Sequence, residues 1–292
     1  MALWIGATLA AAGLQTVRFM LQKQLRATRL STAGASAVRF VYAAPLATLA
    51  AALLTRGDWP TAGPGFWLFA LGGGLGQILG TLLTVALFAR RNFAVGVAFT
   101  KTETVQVAVF SALVLGEAVS GLGLVAILLG VAGILLLSRP PEGGADWRGM
   151  VMGVAAGAGF GASAIGYRGA ALALSHGDAV TRAAVTLACV TAFQALVMLA
   201  LLVATGERRE IGRLFAAWRV AGLVGLSGML ASLGWFTAFA LQNAAYVRAL
   251  GQVEMLFTLG VSHLVFREAL SGRELAGIAL VVASLVTLIL AL

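Results

Sequence analysis

The chain has 292 residues, 60% of them apolar and only 11% charged, with a net charge of +9. A soluble globular protein carries about a quarter charged residues to solvate its surface, so this composition excludes an ordinary water-soluble domain. In a membrane protein the surplus Lys and Arg collect in cytoplasmic loops, and no nucleic-acid partner is expected.

The first apolar stretch, 2–22, lacks the cationic run that opens a cleaved signal peptide and reads as a membrane span. A bilayer core takes about 20 mostly apolar residues per helix. Further spans follow at 31–55, 64–89, 93–115, 119–138, 149–174, 179–205, 217–241, 244–266 and 273–292. The predicted fold is all-α and integral to the membrane, with ten transmembrane helices joined by short loops. The 37 glycines favour close helix packing, and Gly72, Gly73, Gly74, Gly76 and Gly80 concentrate this in the third span. Trp4, Trp59, Trp67, Trp147 and Trp218 lie near span ends and read as interfacial anchors. Cys189 is the single cysteine, so neither an intramolecular disulfide nor a cysteine metal site is available. His176 and His263 form no ligand pair, and no metal or cofactor is expected.

Basic residues gather in alternate loops: Lys23, Arg26, Arg29; Arg90, Arg91; Arg139, Arg148; Arg208, Arg209, Arg213, Arg219; Arg267, Arg273. The other side has Arg56, with Arg168 and Arg182 just inside span ends. The positive-inside rule then places both termini outside the cytoplasm of a cell inner membrane.

An internal repeat runs through this pattern. A constant offset of 151 places Asn92 on Asn243, Ala94 on Ala245, Glu103 on Glu254 and Glu117 on Glu268, and Trp67 on Trp218. An offset of 143 pairs Trp4 with Trp147 and Arg39 with Arg182. Five helices per half is an odd number, so the second half, 142–292, is inverted relative to the first, 1–141. Inverted repeats mark secondary transporters, with the solute site at the repeat interface near the midplane.

Ionisable groups inside the bilayer are functional candidates by default. The fourth span carries Thr100-Lys101-Thr102-Glu103-Thr104-Val105-Gln106. On a regular helix Lys101 and Glu103 point to nearly opposite faces, so they are not expected to pair. Glu103 and Glu254 each lie about ten residues into their spans, roughly 15 Å deep at 1.5 Å per residue. Such carboxylates can take up a proton on one side and release it on the other, or simply hold helices together by pairing with a cation. Arg18, Arg39, Lys101, Arg168, Arg182 and Arg248 make the intramembrane charge positive, which suits a bound carboxylate or phosphate. Arg168, Arg182 and Arg248 sit near span ends, where snorkelling is an equal alternative. Gln252 takes the place of Lys101 in the second half and can hydrogen-bond a polar solute. Trp235, Phe236, Phe239, Phe160 and Tyr167 either line a cavity or pack the bundle. The candidate substrate-binding set is Arg18, Arg39, Lys101, Glu103, Gln252, Glu254, Arg248, Trp235 and Tyr167, with Glu103 and Glu254 as proton-coupling groups.

The doubled segment is similar to the EamA-type ten-helix permeases of the drug/metabolite transporter superfamily. It reads as an apolar helix at 94–114, then Leu115-Gly116-Glu117, then a glycine-rich span ending Leu135-Leu136-Leu137; the second copy runs 245–265 with Phe266-Arg267-Glu268. The resemblance implies a central cavity among the first four helices of each half, with the fifth and tenth peripheral. Family members often begin with a cationic N-terminus, whereas this chain starts Met1-Ala2-Leu3-Trp4, and its fourth span is unusually charged.

The expected function is export or exchange of a small carboxylate-bearing metabolite, such as an amino acid, by alternating access. The alternatives are a sugar-phosphate or nucleotide-sugar carrier and a proton-coupled exporter of lipophilic cations. No metalloprotease, nucleophile-elbow or His–Ser motif is present, so an enzyme is not expected. The expected partners are a small-molecule substrate and membrane lipids, with the protein acting as a monomer or a homodimer.

Overall fold

The computed structural model describes residues 3–25, 30–88, 100–137, 147–257 and 272–291. Arg26, Arg29, Arg90, Arg91, Asn92, Ala94, Arg139, His263, Arg267 and Glu268 lie outside these residues, as does the expected boundary at 141/142. Among the described residues the regular elements are all helices: α1 (Leu3–Leu25), α2 (Thr32–Thr55), α3 (Pro64–Phe88), α4 (Glu103–Leu115), α5 (Gly121–Leu137), α6 (Trp147–Leu172), α7 (Ala179–Ala204), α8 (Arg208–Ala216), α9 (Trp218–Leu241), α10 (Ala244–Gly251) and α11 (Gly272–Leu290).

Five of these contain stretches long and apolar enough to cross a membrane: Ala33–Thr55, Pro64–Thr84, Trp147–Leu172, Ala179–Ala204 and Trp218–Leu241. The apolar stretches of α4, α5 and α11 are shorter. The outward faces of the helices carry large hydrocarbon side chains, with Leu113 on α4 78% and Leu68 on α3 75% exposed. Water would penalise that surface, whereas lipid accepts it. This is a multi-pass membrane protein.

Polar residues set where the helices begin and end. The Ser31 hydroxyl accepts from Gly34 N at 3.1 Å, Asp178 from Thr181 N at 2.7 Å and Asn243 from Ala245 N at 2.8 Å, each capping a helix start. The Thr181 N–H holds the Asp178 carboxyl below the usual carboxylate range.

α3 lies along α6 and α1 along α9, while α2 packs on α7 and α5 on α11. Exchanging the two halves maps α1–α9 onto α6–α3 and leaves α2–α7 and α5–α11 each mapped onto itself. The contact of α4 with α6 is likewise matched by that of α10 with α1. The packing follows a pseudo-two-fold, and each of these helix pairs joins one half to the other.

The α3–α6 contact is so close because it is glycine on glycine. A Cβ at Gly76 would stand 2.7 Å from the Gly159 carbonyl oxygen, and a Cβ at Gly159 would stand 2.7 Å from that of Gly76. Gly76→Ala is therefore expected to lower stability by about 1–3 kcal/mol, the usual cost of overpacking. Gly72, on the same helix, has open space around it, and Gly72→Ala should cost nothing. Thermal unfolding of both variants in detergent checks the contrast.

Two expectations are corrected. The segment between the seventh and eighth spans, read as a basic loop, folds into α8. Glu210 and Leu214 are buried there while Arg208, Arg209 and Phe215 face outward, an amphipathic turn too short to register in a search for spans. Glu210 accepts from Ser31 N at 2.7 Å, Glu207 accepts from the Ser31 hydroxyl, and Tyr42 Oη donates to Leu214 O at 3.2 Å. α8 thus seals the start of α2. Trp4 is no interfacial anchor: it is buried in the main apolar core, because α1 packs along α9. Trp59, Trp67, Trp147 and Trp218 are exposed.

Candidate functional site

The predicted fourth and ninth spans do not run as regular helices through their polar residues. Thr104 N bonds Lys101 O at 3.4 Å, a three-residue spacing, before the four-residue ladder resumes with Gln106 N on Thr102 O at 3.1 Å. Gln252 N bonds Ala249 O at 3.2 Å and Met255 N bonds Gln252 O at 3.0 Å, again at three-residue spacing. Lys101 and Gln252 are the residues that the 151 offset superposes. Both halves therefore tighten at one equivalent point, a feature that marks hinges and functional kinks. Each kink lies just before one of the two carboxylates that the offset pairs, Glu103 or Glu254.

The kinks overturn one expectation from helical geometry. Lys101 and Glu103 do not diverge to opposite faces but line the same cavity, of about 30 Å³. Thr104, Ile134, Trp235, Arg248, Gly251, Gln252, Glu254 and Met255 complete its wall. At about 10–15 Å³ for each ordered water, it has room for two or three waters. Gly251 is required here, because a Cβ would meet the Trp235 ring at 2.5 Å.

Glu103 takes its partner from the other half: Arg248 Nε stands 2.9 Å from Glu103 Oε1. Neither atom makes a hydrogen bond; the contact is one of charge, without alignment. The Arg248 guanidinium lies over the Trp235 ring at 5.0 Å and the Phe239 ring at 5.3 Å. These faces hold it by cation–π attraction, which uses none of its N–H donors. So Arg248 is no snorkelling residue but part of the cavity.

Arg168 shows what a fully engaged arginine looks like in this fold. Its Nε and Nη2 donate to the two Glu117 oxygens at 2.6 Å, and Nη1 donates to Phe239 O at 2.6 Å and Gln242 O at 2.7 Å. It clamps the ends of α4, α6 and α9 together and lies outside the cavity. Glu117 is thus paired with an intrahelical arginine, not with a loop one. Arg182 sits in the first turn of α7, four residues after the Asp178 cap, and also lies away from the cavity.

Arg18 and Arg39 form a second layer behind the site. Arg18 is buried and electrostatically coupled to both Arg39 and Glu254, and Arg39 to Arg248 and Tyr167. Tyr167 is not in the cavity wall. It is fully buried, stacked on Phe236 at 4.1 Å, and its hydroxyl donates to Gln77 Oε1 at 2.9 Å while accepting from Gln194 Nε2 at 3.2 Å. His176 is exposed on a loop, 3.2 Å from Asp58.

Sequence reasoning missed three glutamines. Gln77 and Gln194 hydrogen-bond each other at 2.9 Å beside Tyr167. Gln15 Nε2 donates to Glu254 Oε2 at 2.8 Å, and its Oε1 accepts from Trp235 Nε1 at 3.2 Å. A glutamine in an apolar span must find partners once it leaves water, so uncharged amides deserved the same weight as the charges. Among the described residues no group of three or more His, Cys, Asp or Glu is placed to hold a metal ion.

One solved structure, titled "Crystal structure of protein", superposes with a TM-score of 0.73 at 16% identity, covering 98% of this chain and 96% of that one. That likeness shows a shared fold. Comparison with curated proteins finds no match. The model of the EamA-like transporter family matches twice, over residues 2–139 and 147–290. With two copies of one repeat accounting for nearly the whole length, the chain belongs to the EamA-like transporter family.

Proposed function

We propose that the protein is a secondary active transporter that exports or exchanges a small polar solute bearing a carboxylate, such as an amino acid. It works by alternating access across a cell inner membrane, with ten spans in two inverted halves and both termini outside the cytoplasm. The observation that carries this reading is Arg248, a largely buried guanidinium held against two aromatic faces, whose Nε is not hydrogen-bonded to the Glu103 carboxylate it touches. Guanidinium binds a carboxylate through two parallel hydrogen bonds. A solute carboxylate can take that geometry on Arg248, with Lys101 beside it. Its ammonium then faces Glu103 and Glu254. The cavity is too small for such a solute as it stands, so admission requires the kinked helices to part, and the paired kinks at Lys101 and Gln252 supply the flexion points.

A thermal-shift screen of the purified protein tests the reading. The panel holds amino acids, simple carboxylates, sugar phosphates and lipophilic cations at two pH values. A ligand at about a hundred times its Kd stabilises by roughly 2.7 kcal/mol. Stabilisation by amino acids or carboxylates, weakened in Lys101→Ala, is the expected result. Stabilisation by sugar phosphates alone, or by lipophilic cations alone and lost in Glu103→Gln, would contradict it.

A further inference from the structure

We infer that Gln15 is a positioning residue that transmits the protonation state of Glu254 to the Trp235 wall of the cavity. The inference rests on the proton role proposed for Glu254 and deepens it.

The Gln15 amide is oriented by chemistry alone. An indole N–H can only donate, and an ionised carboxylate can only accept. Between Trp235 Nε1 and Glu254 Oε2 the amide must therefore turn its oxygen to the indole and its NH2 to the carboxylate, as it does at 3.2 and 2.8 Å. A proton added at Glu254 Oε2 converts that oxygen into a donor. As a hydroxyl, that oxygen accepts more weakly from the Gln15 NH2 and offers a donor instead, so the amide gains by turning its carbonyl oxygen to Glu254. If the amide turns over to accept from Glu254, Trp235 loses its partner. Trp235 supports the Arg248 guanidinium, which stands against Glu103. Protonation at one symmetry-related carboxylate thereby reaches the ion pair of the other through Gln15, Trp235 and Arg248.

Among the described residues the groups facing Glu254 include Arg18 and Gln15 from α1, Lys101 from the turn before α4, Glu103 from α4 and Arg248 from α10. Gln15 hydrogen-bonds both Glu254 and Trp235 and so joins the two.

The test needs no solute, so it stands apart from any failure to find one. The full chain is labelled with 5-fluorotryptophan in lipid nanodiscs, and the Trp235 line is assigned by Trp235→Phe. Its 19F shift is followed from neutral to acid pH. The wild-type line should move through a single titration, and it should stay fixed in Glu254→Gln and in Gln15→Met. The lines of Trp4, Trp59, Trp67, Trp147 and Trp218 serve as the control for folding, and Gln15→Leu replaces Gln15→Met if those lines are disturbed. A Trp235 line that titrates as in wild type without the Gln15 amide overturns the relay while leaving the proton role of Glu254 intact. A line that still moves in Glu254→Gln, or never moves in wild type, overturns both.

Discussion

Arg248→Ala is expected to abolish solute-dependent stabilisation and to lower solute flux in proteoliposomes by ten- to a hundredfold. Hydrogen bonds to a charged group contribute about 1.5–3 kcal/mol each, and every 1.4 kcal/mol is tenfold in affinity. The truncation also leaves Glu103 buried without its cation, at a cost of about 3–5 kcal/mol in stability, so the alanine variant alone would confuse folding with binding. Arg248→Lys separates them. The charge remains opposite Glu103, but the planar fork and its contact with the Trp235 and Phe239 rings are gone. The lysine variant is expected to keep most of the wild-type thermal stability while binding amino acids at least tenfold more weakly in a titration. Unimpaired binding by the lysine variant would mean that Arg248 neutralises Glu103 and nothing more.

Arg168→Ala should show the opposite pattern. It removes four short hydrogen bonds, two to Glu117 and two to backbone carbonyls at the end of α9 and beyond it. Breaking a largely buried pair from one side costs about 3–5 kcal/mol, because the partner is stranded. The loss should appear as a lower unfolding temperature in detergent, with solute affinity per folded molecule unchanged. Arg168→Met combined with Glu117→Met should recover part of the stability, since an apolar pair strands no charge. Recovery will be incomplete, because the carbonyls of Phe239 and Gln242 still lose their donor.

The two arginines show how far the sequence could be read. Both sit near span ends, so depth alone could not separate them, and snorkelling was an equal account of each. What separates them is the partner. Arg168 meets Glu117 and two backbone carbonyls, whereas Arg248 meets Glu103 without hydrogen-bond alignment and lies over two ring faces. Partners across helices are fixed by tertiary packing, which no local pattern reports. The 151 offset, by contrast, was legible: the equivalence of Lys101 and Gln252 reappears as a kink in each half. The kinks themselves were hidden, because a mid-helix change from four- to three-residue bonding has no strong sequence mark when neither Pro nor Gly causes it. Assuming regular helix then sent Lys101 and Glu103 to opposite faces, although they share a cavity. Gln15 was missed because attention went to formal charge, while an amide buried in lipid must be satisfied just as surely.

The central claim is that a carboxylate solute crosses the membrane by way of the Arg248–Glu103 site. The most direct measurement is counterflow: proteoliposomes are loaded with an unlabelled amino-acid mixture and labelled amino acids are added outside. The account predicts transient accumulation of label above equilibrium, competed by other carboxylates, greatly reduced in Arg248→Lys and unchanged per folded molecule in Arg168→Ala. Accumulation that proceeds equally well in Arg248→Lys, or that carries only lipophilic cations when these replace the amino acids, would contradict it.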